Sequence, residues 1–131
     1  MFLDTSGLLC LLDAREKAHV EANEYFNLAG ISRITHSYVL AELVALMYAR
    51  GIPRLKSLNL AVGVAENPDI ELVWVDELLN KEALNLLLHR LDKAYSLCDA
   101  VSFVLMRERG IVDALTTDHH FEQEGFRRLL K

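Results

Sequence analysis

At 131 residues the chain has about one domain's length, taking roughly 150 residues per domain, and we read residues 1–131 as a single domain. Hydrophobic residues at 52% and charged residues at 25% supply material for a packed core, which excludes a disordered chain or a coiled coil. A net charge of −5 argues against tight nonspecific binding to nucleic acid, which clustered Lys and Arg drive. It leaves room for a nuclease, because an acidic metal site carries negative charges that bound cations reverse locally.

Residues 1–4 read as a short apolar strand that stops at Asp4, and Thr5, Ser6 and Gly7 supply helix-start chemistry for the apolar run 8–12. Asp4 and Asp13 interrupt this opening, no basic segment precedes it, and no run approaches the ~18 apolar residues of a membrane span. Residues 16–29 carry Ala18, Ala22, Tyr25 and Phe26 at helical spacing, an amphipathic helix ending near Gly30. A short strand over 31–35 follows. Ser37 then caps a long helix, 38–49, closed by Gly51 with Pro53 beyond.

A helix over 54–65 ends at Asn67-Pro68, and residues 70–75 (IELVWV) make the strongest strand in the chain. Asp76 caps a helix over 77–91, and Ser96 opens another that runs to Arg109 and stops at Gly110. Residues 114–117 and 126–130 are the last two strands. Strands alternating with helices predict an α/β fold with a mostly parallel sheet covered on both faces. Cys10 and Cys98 sit among apolar neighbours and read as reduced core residues of a cytoplasmic protein.

The informative feature is the isolation of four acids. Asp4 is the only charged side chain among residues 1–12, Glu42 the only one between Arg33 and Arg50, and Asp99 the only one between Lys93 and Arg107. Asp118 directly follows the strand ALTT. At ~100° per residue, the helical neighbours of Glu42 are Tyr38, Val39, Ala45, Leu46 and Ala49, all apolar, so Glu42 is expected on a covered face. Asp99 shares its face with Phe103 and Met106, and neither acid has a Lys or Arg one turn away. Carboxylates so placed require compensation, and a cation supplies it. In open α/β sheets ligands collect beyond the carboxyl ends of strands, where Asp4 and Asp118 fall. Oxygen-only donors of this kind favour Mg²⁺ or Mn²⁺.

Each acid also has a structural reading. Ser96 and Asp99 fit a capping box, Asp4 fits a cap for the turn DTSG, and Asp118 fits a turn at a strand end. For Glu42 neither capping nor solvent exposure offers one.

The segments FLDTSGLL, SYVLAELVAL, YSLCDAVSFVLMRERG and ALTTDHHFEQEGF, in this order across the chain, resemble the PIN-domain family, including VapC-type toxins of prokaryotic toxin–antitoxin pairs. The resemblance implies a three-layer α/β/α sandwich around a sheet of four to five strands. It implies a metal-dependent endoribonuclease with Asp4, Glu42, Asp99 and Asp118 as catalytic, metal-binding carboxylates, and Thr5 or Ser6 as a polar helper. It further implies an RNA substrate, a homodimer and a small antitoxin protein that blocks the cleft. Cys98 departs from the hydroxyl residue that relatives often carry there. The doublet His119-His120 is either a proton-transfer or phosphate-contacting pair or, by the plainer reading, a solvated turn.

Arg50, Arg54 and Lys56 are candidates for phosphate contact, while Arg107 and Arg109 suit a helix C-terminus. A nuclease of RNA processing without a toxin role fits the same residues. A phosphorelay receiver, with Asp76 as phosphoacceptor, fits less well: the first strand ends in one acid rather than a pair, and no late-strand Lys follows. A catalytically silent PIN-like binding module would have lost one or more of the four acids, and all four are here.

Overall fold

The computed structural model describes residues 1–131. Its core begins with β1 (Phe2–Leu3), where two fully buried apolar side chains point to opposite faces of the sheet. The chain then forms α1 (Thr5–Leu12), α2 (His19–Phe26), β2 (Ile34–His36), α3 (Ser37–Ala49), α4 (Arg54–Glu66) and β3 (Glu71–Val73). It continues through α5 (Glu77–Leu88), α6 (Leu97–Arg109), β4 (Asp113–Leu115), α7 (His120–Gln123) and β5 (Arg127–Arg128).

The five strands are all parallel, in the order β3-β2-β1-β4-β5, with Phe2 opposite both Ile34 and Ala114 and Leu3 opposite Leu115. Right-handed crossovers place α1–α4 on one face and α5–α7 on the other, giving the three-layer sandwich. Burial on both faces explains why β1, β2 and β4 are nearly continuous in apolar or hydrogen-bonded residues rather than alternating. After β3 the chain returns across the sheet to β4, so the order reverses between β1 and β4. In doubly wound sheets that reversal opens a crevice at the carboxyl ends of the two strands.

Several local expectations need correction. Residues 16–18 leave the expected helix because Asp13 accepts from the Arg15 backbone N–H at 3.0 Å and from its guanidinium, making a turn that delays α2 to His19. The apolar segment 70–75 forms an edge strand of only three residues, with Trp74 exposed beyond it. Its β-branched composition reports strand propensity, not centrality. The cap of α3 is His36, whose Nδ1 accepts from the Val39 N–H at 3.3 Å. Ser37 instead accepts the Val75 N–H at 2.9 Å, tying α3 to the end of β3. Asp76 and Ser96 cap as expected, and Gly110 ends α6 with φ 64°.

Candidate active site

Asp4 lies at the crevice between β1 and β4. Its backbone N–H donates to the Leu115 carbonyl at 3.2 Å, and its side chain makes no helix-capping bond, which removes the capping reading. Instead Thr116 Oγ1 donates to Asp4 Oδ2 at 2.7 Å, and Ser6 Oγ, 3.5 Å from the same oxygen, stands 3.0 Å from Thr116 Oγ1. The Thr117 N–H donates to Ser6 Oγ and the Asp118 N–H to Thr116 Oγ1, both at 3.0 Å, so the turn after β4 is locked onto the start of α1. Of the two expected helpers, Ser6 is the one bonded to this network, while the buried Thr5 hydroxyl has no partner. Burial pushes the Asp4 carboxyl up to about 7 against the lowering effect of the Thr116 bond, and Asp99 and Glu42 add to the rise.

Asp99 occupies the first turn of α6, where Ser96 and Asp99 form a complete capping box. Desolvation raises its carboxyl above the usual range; the Ser96 N–H bond opposes this, and the Asp118 charge reinforces it. Asp118 sits three residues beyond β4, which ends at Leu115 rather than at Thr117. It accepts the His120 N–H at 3.0 Å.

Glu42 differs from expectation. It is exposed, as are Ala45 and Ala49 on the same face of α3, so the face is not covered as the helical wheel implied. Its charge nevertheless reaches the crevice, where it acts on both Asp4 and Cys98. Burial first, then the neighbouring carboxylates, push the Cys98 thiol far up, which makes it an inert apolar filler and not a nucleophile.

The four acids are coupled electrostatically near the carboxyl ends of β1 and β4: Asp99 and Glu42 act on Asp4, and Asp118 acts on Asp99. Their oxygens do not all crowd within one small cluster; the only such group of metal-competent side chains is Asp118, His119 and His120. No Lys or Arg pairs with any of the four. Four carboxylates, of which Asp4 is buried, Asp99 and Asp118 half-buried and Glu42 exposed, with no Lys or Arg beside them, fit a hard divalent cation.

Of the basic residues considered for phosphate contact, Arg50 and Arg54 are engaged elsewhere, while Lys56 is exposed and makes no ion pair. Arg50 pairs with Glu16, and Arg54 lies over the Tyr48 ring at 5.7 Å. Arg107 pairs with Glu124 at 2.6 Å and Arg109 with Glu71 at 2.8 Å, which bears out their structural reading.

Two contributors escaped the sequence reading, and a third, His120, was read there more plainly as part of a solvated turn. Thr116 is one of the two; its register, two residues beyond Ala114, was the available signal. His120 is half-buried, with its ring edge-on to Tyr95 at 5.3 Å, and is not a solvated turn, whereas His119 is largely exposed. The other of the two is His36. Its Nδ1 accepts from Val39, so Nε2 carries the proton and donates to Ser102 Oγ at 2.9 Å, which in turn donates to the Cys98 carbonyl at 2.9 Å. One neutral imidazole therefore joins the start of α3, which carries Glu42, to the first turn of α6, which carries Asp99.

Burial lowers His36 to about 4, whereas an unfolded histidine protonates near 6.5. As pH falls, the unfolded chain takes up this proton first. The associated stability is complete above pH 6.5 and is lost progressively toward pH 4, on the order of 3 kcal/mol in all. Urea unfolding should therefore show the advantage of wild type over His36→Gln shrinking between pH 7 and 4.5. A gap that stays constant with pH would assign the proton uptake to another group.

Comparison with known proteins agrees with this architecture. The PIN-domain profile matches residues 1–126. The 23S rRNA-specific endonuclease VapC20 of Mycobacterium tuberculosis, in strains CDC 1551 and H37Rv, is 29% identical over 126 residues, covering 96% of this chain and 95% of the relative. The crystal structure of M. tuberculosis VapC20, described as a sarcin–ricin loop cleaving toxin, superposes with a TM-score of 0.90 at 25% identity, covering 99% of this chain and 98% of that one. With a profile match across nearly its whole length and the five-stranded parallel sheet that goes with it, this chain belongs to the PIN-domain family.

Proposed function

We propose that this chain is an endoribonuclease that hydrolyses RNA phosphodiester bonds at the crevice between β1 and β4, as the toxin of a toxin–antitoxin pair. The observation that carries the reading is Asp4: a buried carboxylate held near pH 7, facing other acids and lacking any cationic partner. A group so costly to ionise is retained for what it binds. The similarity to VapC20 supports both the RNA substrate and the toxin role.

In this proposal Asp4, Glu42, Asp99 and Asp118 hold divalent metal, Mg²⁺ or Mn²⁺. Such an ion supplies Lewis acidity, lowering the pKa of water and offsetting charge on phosphate. The protein's own part is positioning. Thr116 and Ser6 fix the rotamer of Asp4, and the capping box fixes Asp99. Until cations arrive the four acids repel phosphate, so the apo cleft discourages RNA. Attack of water on phosphorus, with the 3′-oxygen leaving, yields a 5′-phosphate and a 3′-hydroxyl. We assign a homodimer, a small antitoxin partner and a cytoplasmic site of action to the same proposal. No helix is long and apolar enough to cross a membrane.

The test is cleavage of RNA that includes a sarcin–ricin-type stem-loop, with Mg²⁺ or Mn²⁺ and with EDTA. Asp99→Asn keeps an amide oxygen for the Ser96 cap, so the variant should fold normally while losing cleavage by on the order of a hundred-fold or more. EDTA-resistant cleavage, or full activity in that variant, would remove the proposal.

A further inference from the structure

We propose that Asp118, His119 and His120 form a mixed nitrogen–oxygen site that takes a borderline transition-metal ion such as Zn²⁺ in preference to Mg²⁺. The three residues offer one donor atom each, and the donors lie within 4.8 Å of one another. Asp118 Oδ1 is 3.3 Å from His120 Nδ1 and 3.8 Å from His119 Nδ1, and the two imidazole centroids are 4.6 Å apart. Zinc binds such donors at ~2.0–2.2 Å in a tetrahedron, which places ligand atoms about 3.3–3.5 Å apart. One pair already stands at that spacing. The other needs only a small rotation of the His119 ring, which is largely exposed and free to turn.

A second observation points the same way. His120 Nδ1 is buried yet makes no hydrogen bond: Asp118 Oδ1 at 3.3 Å and Asp99 Oδ2 at 3.4 Å are near enough, but neither is aligned to accept. An unpartnered buried nitrogen is costly in a folded protein, and a metal ion is one of the few things that satisfies it. The remaining ring is held by the Tyr95 edge contact, and the Asp118 carboxylate by the His120 N–H, so two of the three donors are placed in advance.

Donor chemistry then separates this site from that of the four acids. Imidazole nitrogen suits Zn²⁺, Ni²⁺ and Co²⁺, whereas Mg²⁺ prefers oxygen and keeps its waters. The site abuts the cleft, since Asp99 Oδ2 is 3.4 Å from the same His120 nitrogen. An ion here draws Asp118 away from the other three acids, so zinc should inhibit cleavage supported by Mg²⁺. This consequence rests on the proposed role of Asp118 in the cleft; the binding itself does not.

Isothermal titration of Zn²⁺ into the full chain, with millimolar Mg²⁺ present, tests the site without any cleavage assay. Wild type should bind one Zn²⁺, and His119→Ala and His120→Gln should each weaken binding at least ten-fold, with circular dichroism showing the fold intact. Asp4→Asn, across the crevice, should bind Zn²⁺ as wild type does. Titration with Co²⁺ should give a visible band of tetrahedral intensity in wild type and not in His119→Ala. Zinc affinity unchanged in the exposed His119→Ala variant would overturn the proposal, and so would affinity lost in Asp4→Asn alone, which would put the ion among the carboxylates. Because these readouts are binding and absorption, an inactive nuclease with intact zinc binding would refute the proposed function and leave this site standing.

Discussion

Asp4→Asn is expected to make the protein more stable in EDTA and to silence it as a nuclease. Folded Asp4 ionises near 7, whereas a carboxyl in the unfolded chain ionises near 3.8. The folded state therefore holds this proton over the range between them. Relative stability is highest below pH 3.8 and is lost as pH rises toward 7. Above that the penalty is on the order of 4 kcal/mol, at about 1.4 kcal/mol per pH unit.

An amide has no such penalty, and its oxygen can still accept from Thr116. Part of the gain is offset because the amide's own N–H groups need acceptors. We expect Asp4→Asn to exceed wild type by about 2 kcal/mol or more at pH 8 and by almost nothing near pH 4. Saturating Mn²⁺ should then raise wild type toward the variant, since a ligand bound only by the folded state stabilises it by mass action. The variant should respond far less. Cleavage should fall on the order of a hundred-fold or more, as a ligating carboxylate is lost. Chemical denaturation at the two pH values, with and without Mn²⁺, reads all of this. Equal stability of the two proteins at pH 8 in EDTA would mean that Asp4 is not the destabilised carboxylate described above. The exchange of stability for activity at one residue is what a functional site on a marginally stable fold predicts.

The same residue shows what was legible in the sequence. A lone acid after an apolar strand is visible because the surrounding eleven residues carry no other charge, and Asp99 stands out likewise, while Asp118 is legible from its place after a short strand. The alternation of elements, the Ser96 and Asp76 caps and the Gly110 stop were equally readable, because capping and left-handed termination are local chemistry. What depended on the third dimension was not.

Glu42 was expected beneath a covering layer, yet the wheel reports only which residues share a face and not whether anything packs on that face. The segment 70–75 read as the strongest strand, but propensity is blind to neighbour order, and the order β3-β2-β1-β4-β5 puts it at the edge. Ser37 was the obvious cap by residue type. A buried histidine one position earlier took the role because its second nitrogen also had a partner in Ser102. Thr116 was hidden because it read as an ordinary strand residue, and its partner, Asp4, lies 112 positions away.

Gly7→Ala should be among the most damaging single-methyl changes in the chain. Gly7 lies in the first turns of α1, and a Cβ there would meet the Leu115 carbonyl oxygen at 1.9 Å and its carbon at 2.6 Å. Both are backbone atoms of β4, so no side-chain rotation relieves the clash; helix and strand must separate. They would separate where the Leu115 carbonyl receives the Asp4 N–H, and where Ser6, Thr116 and Asp4 close their network. The glycine thus explains how a helix can approach a strand end closely enough to bring the Ser6 hydroxyl of α1 onto the Thr116 hydroxyl just beyond β4. We expect a loss of about 3 kcal/mol or more, at or beyond the upper end of ordinary overpacking. Cleavage should be reduced even at temperatures where the variant remains folded. Gly63→Ala is the control: Gly63 is also helical, nothing lies within 4 Å of its added Cβ, and the change should stabilise by about 0.5–1 kcal/mol through helix propensity alone. Thermal melts of the two variants should move in opposite directions from wild type. Should Gly7→Ala melt with Gly63→Ala instead, the close approach of α1 to β4, and with it the Ser6–Thr116 support of Asp4, would be wrong.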